Sequence, residues 1–323
     1  PPTRPISATR GRWVRAGEPG GARTRVLIGA GGAGYIPRMH VAGFTILRNG
    51  VRFAYPFEES IRSLLPLVDE LHVGVGQSDD DSLERVRAIG DPKLRIFETV
   101  WDMSKREGGR LLSEQTNLAL DRCEGDWFFY LQADEVLHED DYDRIRDRMR
   151  KHLHSRRVLG FWFDYLHFMG DYAIRDALGY LSSVRIIRPG HGLRSIRDAS
   201  KFGWSHDRPL REKRPWSPAK RIGARVFHYG GVRPPVSMSD KVEWGRRLYD
   251  RGRLGGARER EELTPWEYRF TACVPFDGTH PAVMADRIAA KDWETPPFRP
   301  VPLWRNGKFL AGRLRKAGLW PKR

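Results

Sequence analysis

The chain has 323 residues, with 57 Lys and Arg against 41 Asp and Glu, a formal charge of +16 and an isoelectric point near 10.2. Hydrophobic residues make up 40% and charged residues 30%, which fits a folded globular protein and excludes a wholly disordered one. Two cysteines exclude a disulfide framework and a cysteine-rich metal site. No apolar run approaches the ~18 residues of a spanning helix, so a reducing, cytoplasmic setting is expected.

The charge is unevenly placed. Residues 1–38 hold seven Arg and one Glu, and residues 301–323 hold seven basic residues and no acid. The terminal segments therefore carry 13 of the 16 net charges. A nucleic-acid-binding domain more often carries its basic excess on the folded body. A non-enzymatic nucleic-acid binder using the two basic ends stays as an alternative, with affinity that would fall steeply with salt.

Residues 1–38 are rich in Pro, Gly and Arg and read as a disordered basic tail. Within it Gly29 to Gly34 imitates a dinucleotide-binding glycine loop. Such a loop needs a helix after it, and Pro37 and a strand pattern follow instead. Residues 39–290 read as the folded domain and 291–323 as a basic C-terminal tail.

In chain order, Val41 to Leu47 is an apolar run closed by Arg48-Asn49-Gly50, a buried strand and its loop. Phe57 to Leu65 has helical spacing. Leu71 to Val75 is a second strand, closed by Gly76-Gln77-Ser78. Asp81 to Ile89 reads as a helix, Leu94 to Phe97 as a strand, Leu111 to Leu120 as a helix and Trp127 to Leu131 as a strand. Strands alternating with helices predict an α/β fold with a mostly parallel central sheet and flanking helices. Ligands of such sheets bind beyond the carboxyl ends of the strands. The loops after Leu47, Val75 and Leu131 are thus where chemistry is expected. Farther on, Asp140 to Leu153 reads as a helix. Phe161 to Phe168, Val184 to Arg188 and Arg225 to Tyr229 read as strands, residues 207–221 as an exposed loop, and Val242 to Tyr249 as a helix.

The segment from Asp126 to Val136 delivers Asp134 and Glu135 into a turn after an apolar strand. Carboxylates there suit a hard divalent cation, Mg²⁺ or Mn²⁺, sharing its shell with substrate phosphates. They equally suit a solvated turn. Glu139, Asp140 and Asp141 read as the acidic start of a helix.

The order and spacing of several short motifs resemble glycosyltransferase family 2, over about residues 41–290. The motifs are Arg48-Asn49, Tyr55-Pro56, Ser78-Asp79-Asp80, Gln115-Thr116-Asn117, Gln132-Ala133-Asp134-Glu135, Arg185 to Arg188, Arg197-Asp198-Ala199, His228-Tyr229-Gly230, Arg233-Pro234 and His280-Pro281. The resemblance implies the glycosyltransferase A-type (nucleotide-diphospho-sugar transferase) fold. It also implies inverting, divalent-metal-assisted transfer of a sugar from a nucleotide-diphosphate donor to a saccharide or lipid-linked acceptor of the bacterial cell surface. It places Arg48, Asn49, Ser78, Asp79, Asp80, Gln115, Asn117 and Gln132 against the donor. Asp134 matches the last carboxylate of the acidic metal motif, and Glu135 follows it.

Two departures stand out. Gln132 holds the first acidic position of that motif, so metal affinity is reduced, and Val75-Gly76 stands where a carboxylate often ends the second strand. Inverting transfer needs a general base near the acceptor. Asp198 is the best match, with Asp164 and Asp171 as rivals and a loop or capping role as the plain alternative. His228 reads as a metal or diphosphate ligand, or as a hydrogen-bonded core residue. Arg233 and Lys241 read as phosphate contacts or as ordinary surface. Residues 301–323 show helical spacing with interleaved Arg and Lys, which suits peripheral contact with the inner face of an anionic membrane or a solvated tail. A nucleotidyltransferase of similar fold is the enzymatic alternative. It usually opens with a glycine-rich basic loop, which Arg48-Asn49-Gly50 matches poorly.

Overall fold

A computed structural model describes residues 38–249, save 106, 178 and 215, and residues 273–295. The chain divides into Pro1–Arg38 and Met39–Arg323, and the second unit holds the fold described below. The glycine-rich stretch Gly29 to Gly34, read as only imitating a dinucleotide loop, and the basic segment 301–323 lie outside the described residues. Among the described residues no helix is long and apolar enough to cross a membrane.

The structure is α/β. Its core is β1 (Val41–Leu47), β2 (Glu70–Gly76), β3 (Leu94–Thr99) and β4 (Trp127–Tyr130), paired in parallel in the order β3-β2-β1-β4. All seven residues of β1 are buried, as a central strand covered on both faces requires. The crossovers carry α1 (Phe57–Leu64), α2 (Ser82–Ala88) and α3 (Arg110–Leu120). In α1 the apolar Phe57, Ile61 and Leu64 fall on one buried face, and Glu58, Glu59 and Arg62 complement the helix dipole at its ends.

Past β4 the sheet becomes mixed. The strands β5 (Glu135–Leu137), β6 (Gly160–Met169), β7 (Asp171–Asp176), β8 (Ser182–Ile187), β12 (Ala219–Gly231) and β13 (Cys273–Pro275) extend it to ten strands, with β8 antiparallel to both β4 and β6. Strand β12 runs parallel to β6 and antiparallel to β5. A separate three-stranded sheet is formed by β9 (Arg194–Ile196), β10 (Lys201–Ser205) and β11 (Arg208–Pro209). The segment expected as a loop at 207–221 thus contributes β11 and the start of β12. Helix α4 (Tyr142–Lys151) precedes β6; α5 (Pro235–Tyr249) and α6 (Ala285–Ala289) follow β12. Helix α5 begins seven residues before the expected Val242 because Pro235 at its first position needs no N–H partner there.

Two apolar layers cover the sheet. One joins Phe57, Ile61, Val73, Val86, Trp127, Phe129, Ile145 and Phe161; the other joins Phe44, Ile46, Leu120, Tyr130 and Phe202. The second layer brings β10 against β1 and β4, with the Phe202 ring edge-on to Tyr130 at 5.6 Å. Cys123 and Cys273 are both buried, as expected.

Candidate functional site

A cleft of about 260 Å³ opens at the carboxyl ends of β1 and β4. Its lining includes Arg48, Phe53, Trp101, Gln132, Asp134, Tyr180, Asp198, Lys241 and Trp244. A second hollow of about 190 Å³ adjoins it through Arg48, Phe53 and Trp244, and adds Asn49 and Asp79.

The loops that follow β1 and β2 are fastened to each other. Asn49 donates from Nδ2 to Asp79 Oδ2 at 3.3 Å and accepts from the Asp79 amide at 2.9 Å. The Asn49 amide donates to Ser78 Oγ at 3.0 Å and the Arg52 amide to Asp80 Oδ2 at 2.7 Å. Ser78 and Asp80 therefore hold the loop rather than line either hollow. Arg48 donates from Nε to Gln77 O at 2.8 Å, and its guanidinium lies 4.8 Å from the Trp244 ring centre and 5.8 Å from that of Trp101.

Gln115 and Asn117, expected against the donor, do not reach the cleft. Gln115 is buried and donates to Val100 O at 3.0 Å. Asn117 clamps the backbone of Ser195, donating to its carbonyl at 3.0 Å and accepting from its amide at 2.9 Å. It thereby fixes β9, three residues before Asp198. Arg233 is likewise corrected: it is fully buried, donates to Phe53 O at 2.6 Å and Gly230 O at 2.7 Å, and lines a different cavity.

The acidic segment splits into two roles. Asp134 lies at the cleft, with a side chain 12% exposed, and Lys241 Nζ is 3.3 Å from its Oδ2. Glu135 is fully buried, which corrects its placement as a metal ligand. Its Oε1 accepts from Arg185 Nη2 at 2.7 Å and Tyr165 Oη at 2.9 Å; its Oε2 accepts from Arg185 Nε at 2.8 Å and the Gln132 amide at 3.1 Å. The Gln132 side-chain oxygen faces Arg185 Nη2 at 3.4 Å. Arg185 arrives from β8, fifty residues away, so the turn read after β4 is instead the start of β5, folded back onto β12.

His228, on β12, stands across the ladder from Glu135. Its Nδ1 lies 3.0 Å from His167 Nδ1 and its Nε2 lies 3.7 Å from Asp134 Oδ1. Gly230 permits this approach: a Cβ there would meet the His228 ring and stand 2.8 Å from Asp134 Oδ2. Burial pushes His228 down to about 4, outweighing the attraction of Asp134. Burial likewise pushes Lys241 down to about 8, so the amine is still mostly protonated at neutral pH. For Asp134 burial acts upward, yet its coupling to His228 and the charges of Lys241 and Arg233 hold its carboxyl well below the usual range. Since His228 is neutral near pH 7, the standing charge at hydrogen-bond distance is that of Lys241.

These residues do not fit a divalent-cation site. Glu135 is consumed by Arg185, the Gln132 side-chain oxygen faces Arg185, and the Asp134 carboxylate is already paired with the Lys241 ammonium. Among the described residues no three His, Cys, Asp or Glu are grouped so as to hold a metal.

Asp198 lines the cleft between Arg197 and Ala199, whose φ angles are +61° and +59°. Left-handed backbone at two flanking non-glycine residues costs about 1 kcal/mol or more each, and such strain gathers at functional sites. Neither rival lines the cleft. Asp164 pairs with Arg221 at 2.6 Å, and Asp171 with Lys291 at 3.2 Å. His280 is held inside the fold, with Nδ1 at 2.8 Å from Tyr229 Oη and Nε2 at 3.1 Å from Tyr172 O. Sequence reasoning missed Trp101, Tyr180 and Trp244. Trp244 carried one usable signal, since it sits three residues after Lys241 and so shares its helix face.

No family profile and no curated protein sequence matches this chain. Among solved structures it is similar to TarS of S. aureus, residues 1–349, in complex with UDP-GlcNAc: 16% identity over 41% of this chain and 36% of that one, TM-score 0.32. The same protein in complex with UDP gives 13% identity over 62% and 63%, TM-score 0.37. Glucosyl-3-phosphoglycerate synthase from Mycobacterium tuberculosis, in complex with Mn²⁺, UDP and phosphoglyceric acid, gives 20% identity over 40% and 43%, TM-score 0.28. The match thus spans less than two thirds of each of these chains.

Proposed function

We propose that the chain is a glycosyltransferase that moves a sugar from a nucleotide-diphosphate donor to a saccharide or lipid-linked acceptor with inversion. The observation that carries this reading is a single cleft with three chemically distinct parts. Arg48 between Trp101 and Trp244 suits a nucleoside. Asp134 with Lys241 suits the diphosphate and the sugar. Asp198 stands on the strained loop of a separate sheet, suited to an acceptor hydroxyl.

In this reading the acceptor oxygen attacks the anomeric carbon as Asp198 takes its proton. The bond from that carbon to the diphosphate breaks, and its electron pair leaves with the diphosphate oxygen. Peripheral membrane contact through residues 301–323 would bring the cleft to a lipid-linked acceptor; those residues lie outside the described structure.

The test is a thermal-shift screen of nucleotide-sugars, followed by turnover of each stabilising donor with acceptor glycans and determination of the product's anomeric configuration. At least one donor is expected to stabilise the protein and to be consumed. If none does either, the reading fails.

A further inference from the structure

We infer that Lys241 takes the place of a divalent cation, so that the diphosphate of the donor is bound and released without metal. The inference rests on the proposed donor class and adds to it the means by which the leaving charge is met.

Four observations carry it. Glu135 is unavailable, because both oxygens are occupied by Arg185, Tyr165 and the Gln132 amide. Gln132 supplies no charge, and its oxygen faces Arg185. His228 is turned to His167. Lys241 reaches down from α5 into the cleft, with Nζ 3.3 Å from Asp134 Oδ2 and 3.0 Å from Gly230 O. An ammonium has three N–H donors. Two are directed at these oxygens, and the side chain is still 29% exposed where it lines the cleft. The third donor suits a phosphate oxygen. Asp134 then fixes the amine as it would otherwise have fixed an ion. Arg48, lining the same cleft, is a second cation within the donor site. A charge-assisted hydrogen bond formed to the departing oxygen in a partly buried cleft strengthens as negative charge builds there.

The test is calorimetric titration of the full chain with UDP, GDP and dTDP and with their monophosphates, first in EDTA and then in excess Mn²⁺. One diphosphate is expected to bind with equal affinity in both conditions. Lys241→Met is expected to weaken that diphosphate roughly 10- to 100-fold while changing monophosphate affinity little. Lys241→Arg, which keeps the charge and guards against a folding artefact, retains most of the binding. Binding that requires Mn²⁺ and is indifferent to Lys241→Met overturns this inference and leaves the glycosyltransferase reading standing. Failure of every nucleotide in both conditions overturns the reading itself, and this inference with it.

Discussion

Asp198 is held by its neighbours in a conformation that a relaxed loop would not choose. Arg197 and Ala199 both lie in left-handed backbone, so the path of the turn sets where Asp198 leaves the chain beside the cleft. Asp198→Asn removes the proton acceptor and keeps the shape. Turnover is expected to fall about 10²- to 10⁴-fold with donor affinity unchanged. Near-normal turnover, measured once a donor is in hand, would exclude Asp198 as the base. The buried Arg185–Glu135 pair makes a different kind of prediction. Removing one member leaves an uncompensated charge in a dry interior, at a cost of about 3–5 kcal/mol. Replacing both by apolar residues is far milder. In urea unfolding, Arg185→Met and Glu135→Leu should each lower stability strongly, and the double variant should lie closer to the parent than either. Additive losses would contradict the pairing.

At the scale of elements, the parallel half of the sheet was legible in the sequence because each strand and helix is long enough to display its period. The buried runs at Val41–Leu47 and Trp127–Tyr130 and the helix at Arg110–Leu120 are of this kind. The short strands were not. Glu135–Leu137 has three residues and begins with a carboxylate, which locally reads as a turn. The ladder to β12 makes it a strand, and Arg185, fifty positions on, lets the Glu135 carboxylate be buried there. The same limit applies to the site. Asp134 was found from its place after an apolar strand and Asp198 through the family resemblance, and both line the cleft. Asn117 was also placed by the resemblance and does not, because its partner is the Ser195 backbone, 78 positions away. Asn117→Ala should therefore leave nucleotide binding intact and lower turnover, since it loosens the strand that leads to Asp198. Loss of nucleotide affinity in this variant would return Asn117 to the donor side.

Among the described residues, partial or full burial disfavours the charged form of several histidines. Burial lowers His280 below its ordinary value of ~6.5, although the Tyr172 carbonyl opposes the shift, and burial also lowers His152, His167 and His228. Between each lowered value and ~6.5 the unfolded chain binds more protons than the folded one. Stability is therefore full above about pH 6.5 and is lost as pH falls toward the folded values. The urea midpoint should drop between about pH 7.5 and about pH 5.5, and His280→Gln should reduce that slope. A midpoint that rises on acidification would contradict these burials.

The three-stranded sheet that leads to Asp198 shares no strand ladder with the ten-stranded one. It hangs from it by side chains: Asn117 on the Ser195 backbone, Ser183 Oγ on Ser200 O at 2.8 Å, Arg194 on Asp121, and the Phe202 ring in the apolar layer. A few pegs of this kind make a replaceable part. Substitutions in β9 to β11 that keep these contacts are expected to leave the ten-stranded sheet unchanged. A hairpin graft between Ile196 and Arg208 that preserves Phe202, Ser200 and the Arg197-Asp198-Ala199 turn should redirect acceptor choice and leave donor affinity untouched. Measuring both on the same chimera would decide whether the two substrates of one reaction are chosen by separately exchangeable modules.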